Sequence, residues 1–388
     1  MQIISIEPTP SPNSMKINLD TRLADHVRMT YTVDQKEDAP ELIRQLLDII
    51  GVVEVFHTSD FIALERKPKG DWQAILAEVR EVFSGFDHAR KQPIHSDSEA
   101  EVNHIPTQEP PIVDHYGEAT VMVQMFRGIP LQIRVQSDDQ EERIAMPSRF
   151  IDSAMNAQYG SPNLIAERKL IDYGIRYGER KEIAEQILEE LEAAFDSERL
   201  EQLVSDALAE GDQESELQLK HEQILSGLKD PDWKVRFAIL DKLKPSLQTL
   251  PLIIVALEDN NFSIRRLATV YLGDIKEPEA LPHLYRMLKD TSAPVRRTAG
   301  DCLSDIGDPD AIGPMCDALQ DTSKIVRWRA ARFLYELGDE TAVPALKQAL
   351  DDSEFEVRMQ IQYALARIEG GEAAIGSVWQ QMTQRNRT

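Results

Sequence analysis

Residues 288–307 read LKDTSAPVRRTAGDCLSDIG, and residues 319–338 read LQDTSKIVRWRAARFLYELG. The two stretches share one frame: a Leu, an Asp two places on, a Val-Arg pair, then a Leu eight residues past the Val. The frame extends in both directions. Its apolar-Arg pairs are Val235-Arg236, Ile264-Arg265, Val295-Arg296, Val326-Arg327 and Val357-Arg358, spaced 29, 31, 31 and 31 residues apart. Leu228, Leu257, Leu288, Leu319 and Leu350 keep step with them, as do Asp230, Asp259, Asp290, Asp321 and Asp352. Five registered copies of several columns do not arise by chance, and a fixed period of about 20–50 residues is the mark of a stacked repeat.

Each copy predicts two helices. The first ends near the Leu, and the Asp/Ser/Asn cluster after it makes a turn and caps the second. Pro251, Pro282, Pro314 and Pro344 open first helices, and Gly307 and Gly338 close second ones. The small or aliphatic residues Ile239, Ala268, Ala299, Ala330 and Ile361 recur four places after the Val or Ile, where neighbouring helices approach. Copy one is two residues shorter, and Pro245 cuts its second helix. Cys302 and Cys316 align with non-cysteine positions and read as helix fillers.

This stretch, about 224–375, resembles HEAT-like repeats of the short bacterial PBS-lyase type. The resemblance implies that the turn aspartates and the arginines Arg236, Arg265, Arg296, Arg327 and Arg358 form a structural ladder between copies. It also implies a groove lined by the side of the second helices opposite their core. At 100° per residue that side carries Phe237, Arg266, Arg297, Trp328 and Met359, with Arg332, Tyr335 and Tyr363 beside them. Arg266, Arg297, Trp328, Arg332 and Tyr335 are therefore expected to be exposed and to bind a protein, since Arg, Trp and Tyr dominate interface hot spots.

Upstream, residues 1–87 alternate strand and helix signals: IISI and MKINL around a proline turn, the helix PELIRQLLDII, the hairpin VVEVFHTSDFIALER turning at Thr58-Ser59-Asp60, and the helix WQAILAEVREVFSGF. EPTPSPNSMKI at 7–17, with Gly51-Val52, Phe61-Ile62 and Trp72, resembles the N-terminal domain of Nfu-type iron–sulfur scaffold proteins. Cluster binding in that family rests on a separate CxxC domain, and no CxxC occurs here. Residues 88–116, rich in Pro, Ser and acids, read as a flexible linker, and the spacing of His88, His95, His104 and His115 fits no metal motif.

Residues 117–222 read as a β-hairpin turning at Arg127-Gly128-Ile129-Pro130, followed by helices over PSRFIDSAMNAQ, LIAERKLIDYG and RKEIAEQILEELEAAF. The stretch 182–222 is densely acidic with helical apolar spacing, which predicts an acidic solvated face. Arg127, Arg149, Arg168, Arg176 and Arg180, beside Tyr173 and Tyr177, stand out in this acidic region. Arg127, Arg149, Arg176 and Tyr177 are a second candidate pocket, for an anion or a partner. The string QMFRGIPLQIRV…PSRFI…ERKL…GIRYGERKEIAEQILEELEAAFD resembles the middle region of the Firmicute family called conserved virulence factor C. That family has the same order: Nfu-like start, this region, then HEAT-like repeats. The expected fold is α+β multidomain: a small Nfu-N-like α+β domain, a mixed α+β/helical region, and a C-terminal all-α HEAT-like solenoid over 223–388.

The 388 residues carry 43 basic and 67 acidic side chains, a formal net charge of −24. Residues 223–388 hold 24 acids against 21 bases, so a nucleic-acid groove is not expected along the repeats. No apolar run is long enough for a membrane span, and the first residues lack the basic and apolar parts of a signal peptide. A cytoplasmic location follows as the expectation. Two cysteines exclude a disulfide framework, a Cys-rich zinc site and a redox CxxC. No nucleophile elbow, P-loop, dinucleotide fingerprint or HExxH occurs, so no enzyme activity, cofactor or metal is expected.

The leading expectation is a non-enzymatic adaptor or scaffold that binds protein partners through the HEAT-like groove, with a virulence role implied by the resemblance. The alternative is an accessory of iron–sulfur assembly that meets assembly proteins through the Nfu-like domain. A nucleic-acid-binding or lyase-like repeat enzyme is weaker. One outcome follows directly from the cysteine count. Anaerobic reconstitution with iron and sulfide should leave no charge-transfer band near about 400 nm. A stoichiometric cluster that disappears in Cys302→Ser/Cys316→Ser would overturn this.

Overall fold

The computed structural model describes residues 1–89, 118–208 and 221–371, apart from residues 10, 12, 25, 26, 68, 69, 138, 139, 161, 162 and 164. The segment read as a linker, with His95, His104 and His115, lies outside the described residues apart from 88 and 89, and so does 209–220 of the acidic block. The chain divides into two compact units, Met1–Tyr116 and Gly117–Thr388.

The first unit is a five-stranded antiparallel sheet with two helices. Its elements are β1 (Ile3–Pro8), β2 (Ser14–Leu19), β3 (Arg28–Thr32), α1 (Glu41–Asp48), β4 (Val52–Thr58), β5 (Phe61–Arg66) and α2 (Trp72–Ala89), and the strand order is β1-β2-β5-β4-β3. Period-two alternation buries Met15, Ile17 and Leu19 of β2 with Ile62 and Leu64 of β5. Leu42, Ile43, Leu46 and Leu47 of α1 and Trp72, Ile75 and Val79 of α2 complete the core. The expected hairpin turns at Ser59, whose φ is +48°. Strand β3 was not anticipated. It is an edge strand of half-exposed residues, RMTYT, and its only signal is the spacing of Met29 and Tyr31.

The second unit begins with a four-stranded antiparallel sheet. It comprises β6 (Glu118–Phe126), β7 (Ile129–Ser137), β8 (Gln140–Ala145), α3 (Ser148–Ala157), β9 (Lys169–Tyr177), α4 (Arg180–Ala194) and α5 (Ser197–Leu208), with strand order β8-β7-β6-β9. The reading of LIAERKLIDYG as a helix is corrected here. Lys169–Tyr177 is a strand paired antiparallel with β6, and Gly174 sits at φ +81°, a value no helix accepts. The alternating odd positions Ala119, Val121, Val123, Ile133 and Val135 are buried, and α3 and α4 pack on the sheet.

Five helix pairs follow: α6 (His221–Gly227) with α7 (Trp233–Asp241), α8 (Leu250–Ala256) with α9 (Phe262–Ile275), α10 (Leu281–Met287) with α11 (Ala293–Ile306), α12 (Ile312–Ala318) with α13 (Lys324–Leu337), and α14 (Val343–Gln348) with α15 (Phe355–Glu369). Copy one has a short second helix that ends before Pro245. Val295, Ala299 and Leu303 of α11, and their equivalents in the other long second helices, are almost fully buried. At Gly273 an added Cβ would lie 2.5 Å from the Cys302 sulfur, so α9 and α11 approach as closely as they do only because that position has no side chain.

The ladder is present and is bidentate. Arg236 donates to both oxygens of Asp259 at 2.6 and 2.8 Å, Arg265 to Asp290 at 2.7 and 2.9 Å, Arg296 to Asp321 at 2.6 and 2.8 Å, and Arg327 to Asp352 at 2.6 and 3.0 Å. The Nη1 atoms of these arginines also donate to the carbonyl of the aspartate in their own copy, at 2.7–2.9 Å. Each aspartate in turn accepts the amide two residues on and so fixes the turn, as with Ser292 on Asp290 at 2.7 Å. Burial alone would raise the Asp290 carboxyl, but the Arg265 bond and the Ser292 amide outweigh it and hold its pKa below the ordinary value. Arg265→Ala should therefore lower unfolding free energy by about 1–3 kcal/mol near neutral pH. Because the folded Asp290 pKa is depressed, that deficit should be constant above about pH 4 and shrink as pH falls through the folded value. Chemical denaturation across a pH series checks both parts; an undiminished deficit in acid contradicts the assignment.

Candidate functional site at the strand–repeat junction

Strand β9 is short of apolar residues on any one side and would not fold alone. Its position comes from β6, with Glu118 opposite Tyr177 and Ala119 opposite Arg176. The register shifts near Thr120, where Asp172 Oδ1 accepts the Gly174 amide at 2.7 Å and local twist increases. Beyond this irregularity the strand's last residues reach two different surroundings. Arg176 turns to α4 and pairs with Glu190 at 3.5 Å. Tyr177 lies beneath the Arg297 guanidinium of α11, 3.6 Å from the ring centre.

Further pairs fix the same elements against the second helices. Arg199 of α5 donates to Asp241 of α7 at 2.7 Å, Lys234 pairs with Glu192, and Lys242 pairs with Asp196, the last two at 3.3 Å. Burial, then the neighbouring Asp241, pushes the Tyr173 hydroxyl up to about 12. Burial likewise drives the Tyr177 hydroxyl well above its ordinary value, so both tyrosines stay neutral and pack as amphipathic rings. Arg297 also pairs with Asp301 at 3.1 Å, and Asp301 with Arg329 Nε at 2.6 Å.

Between β9, α4 and the second helices lies a cavity of about 150 Å³. Arg176, Arg266 and Arg297 line it, with Ile175, Ile183, Pro294 and Ile325 supplying apolar wall. Burial is the main influence lowering the Arg176 pKa. Glu190 opposes it, and the charge of Arg297 adds to it.

The expected sites are thus regrouped. Arg266 and Arg297 of the first set and Arg176 and Tyr177 of the second line one cavity, although they are about a hundred residues apart in sequence. The exposure expected for the rest of the first set is corrected. Trp328 is 2% exposed with the Arg329 guanidinium over its ring, and Phe237 and Met359 are also buried. Arg332 is 4% exposed, pairs with Glu336 at 2.8 Å and lies over the Tyr335 ring, which meets Tyr363 edge-on. The 100° wheel treats a second helix as having one packed side, but α13 packs against α11, α12 and α15 together.

Arg127 and Arg149 do not join Arg176 in one pocket. Arg127 reaches Glu167 at 2.8 Å and the Ala207 carbonyl at 2.6 Å, whereas Arg149 donates to the Glu192 carbonyl at 2.8 Å and lies over Phe150. Arg180 bonds the Gln140 side chain. Glu190, Asp301 and Arg329 were missed; a carboxylate four residues after Arg297 was the available signal for Asp301. Burial pushes the Cys302 thiol well up and the Cys316 thiol up to about 11, so both stay protonated and are poor nucleophiles near neutrality. Among the described residues no helix is long and apolar enough to cross a membrane, and no group of three His, Cys, Asp or Glu is placed to hold a metal.

The Arg297–Tyr177 stack is the closest cation–ring contact of the junction. Tyr177→Leu keeps apolar bulk and removes the ring face, and should cost about 0.5–2 kcal/mol. Hydrogen exchange should quicken over 169–177 while the amides of α11 keep their protection. Unchanged exchange in β9 would show that the stack does not hold the strand.

Comparison with known proteins places the three regions. The family described as the N-terminal domain of the scaffold protein Nfu/NifU matches residues 4–89, the virulence factor family matches 124–204, and HEAT repeats match 222–299 and 284–366. Protein YpgR of Bacillus subtilis is 48% identical over 99% of this chain and 98% of its own length. Conserved virulence factor C of Staphylococcus aureus is 46% identical over 99% of this chain and 100% of its own, and that of Staphylococcus haemolyticus 45% identical over 100% of both. Among solved structures, Staphylococcus aureus protein SAV1430 aligns with 21% of this chain and 99% of its own at 38% identity, with a TM-score of 0.20. With full-length relatives at this identity, the chain belongs to the conserved virulence factor C family.

Proposed function

We propose that this virulence-associated repeat protein acts as a non-enzymatic cytoplasmic adaptor, holding protein partners on its second unit. HEAT repeats have the capacity for protein interaction, and the ladder gives this array a fixed geometry from copy to copy. The carrying observation is exposed apolar surface in the segment before and within β9. Tyr159 is 89% exposed, Ile165 77% and Met155 59%, and Leu170, Ile171 and Ile175 are also exposed on a strand at the edge of its sheet. Large apolar side chains left in water mark interaction surfaces, and an edge strand carries unpaired backbone groups. Trp328 and Arg332 of the expected groove are buried, so the reading rests on the exposed segment instead.

The protonated thiols and the paired arginines of the junction support the non-enzymatic reading. A second reading, an accessory role in iron–sulfur assembly, is favoured by the match of residues 4–89 to the Nfu N-terminal family. Affinity capture from cytosol with the full chain separates the two. The adaptor reading expects a protein retained by the wild type and lost with Tyr159→Ser/Ile165→Asp. Recovery of cysteine desulfurase or cluster scaffolds, unaffected by that variant, favours the second reading and removes the first.

A further inference from the structure

We propose that the cavity between β9 and the second helices binds the phosphoryl group of a small phosphate-bearing molecule, held by Arg176, Arg266 and Arg297. These arginines come from β9, α9 and α11 and line one cavity of about 150 Å³. Drug-sized ligands occupy clefts of about 300–1,000 Å³, so this space takes a small ion or the end group of a small molecule.

Among the described residues, three arginines and no carboxylate line the cavity, which favours an anion. Arg176 has Glu190 at 3.5 Å, and Arg297 has Asp301 at 3.1 Å, but Asp301 is shared with Arg329 at 2.6 Å. Arg266 has no ion pair among the described residues, and its Nε is buried without a hydrogen-bond partner. The Nε atoms of Arg176 and Arg297 are also buried and unpartnered. A buried donor left unmade is costly, so these three guanidinium groups are not fully satisfied by the protein alone. Arg297 lies close enough to Arg176 to lower its affinity for a proton, a repulsion that an anion between them relieves.

The geometry selects among anions. A carboxylate offers two oxygens in one plane. A phosphoryl group offers three oxygens in different directions, which suits guanidinium groups arriving from three elements. Pro294 of α11 and Ile325 of α13 belong to the first turns of 14-residue helices, whose positive ends therefore meet the same cavity. The apolar wall of Ile175, Ile183, Pro294 and Ile325 accommodates a small organic portion. The chain as a whole carries −24, so general attraction does not draw anions to it, and binding must come from this local arrangement.

The test uses the full chain and inorganic phosphate as probe, with sodium chloride at matched ionic strength as reference. Calorimetric titration and thermal unfolding should both show phosphate binding. Arg266→Gln, which breaks no ion pair or ring stack, should weaken it by about tenfold or more, with unchanged unfolding temperature in chloride. Comparing glycerol phosphate with glycerol identifies the phosphoryl group as the recognised part. No phosphate effect beyond that of chloride, or equal binding by Arg266→Gln, overturns the proposal. If the variant proves unstable, Arg266→Lys serves in its place; it keeps the charge, removes the fork, and should still weaken phosphate binding.

Discussion

The structure of the second unit depends on a bond made four times over, a guanidinium fork closing on an aspartate in the next turn. Each arginine holds the carbonyl of its own turn with one nitrogen and the carboxylate of the next copy with two others. Each aspartate receives that fork and caps its own turn through the amide two residues on. One residue pair thus sets both the bend within a copy and the distance to the next. The paired aspartate side chains are only 6–9% exposed, so the bonds are shielded from salt and tolerate no loose partner.

The frame made by these bonds gives the middle sheet something to dock on. Strand β9 lies at the sheet's edge and lacks a continuous apolar face, yet its tyrosines and Arg176 enter surroundings supplied by α7, α11 and α4. Charge is used differently in the two places. In the ladder every fork meets a carboxylate. At the junction, three arginines line a cavity with no carboxylate in its wall among the described residues, and one of them stacks on Tyr177.

The repeats were legible because their determinants are local and recur: Asp, Val-Arg and Leu in fixed columns. The first unit was legible through alternation and turn chemistry, apart from edge strand β3, whose half-exposed residues carry little pattern. Strand β9 was misread because LIAERKLIDYG satisfies helical spacing; pairing with β6 and Gly174 override it, and neither is visible in a window of eleven residues. Trp328 was placed outside by a helical wheel that knows nothing of the neighbouring helices. The cavity was half visible. Its arginines stood out singly, but nothing local says that Arg176 and Arg297 meet.

That meeting has a temporal side. Tyr177 leaves the ribosome more than a hundred residues before Arg297, and the sheet's edge is finished long before the helix that covers its end. At about 5–20 residues per second, the strand waits on the order of ten seconds with its tyrosines and isoleucines in water. A nascent chain of this protein therefore presents a nearly complete small sheet whose open border is a ready template for another strand. The acidic residues crowded into the helices that follow β9 emerge next, a like-charged stretch between the sheet and the repeats.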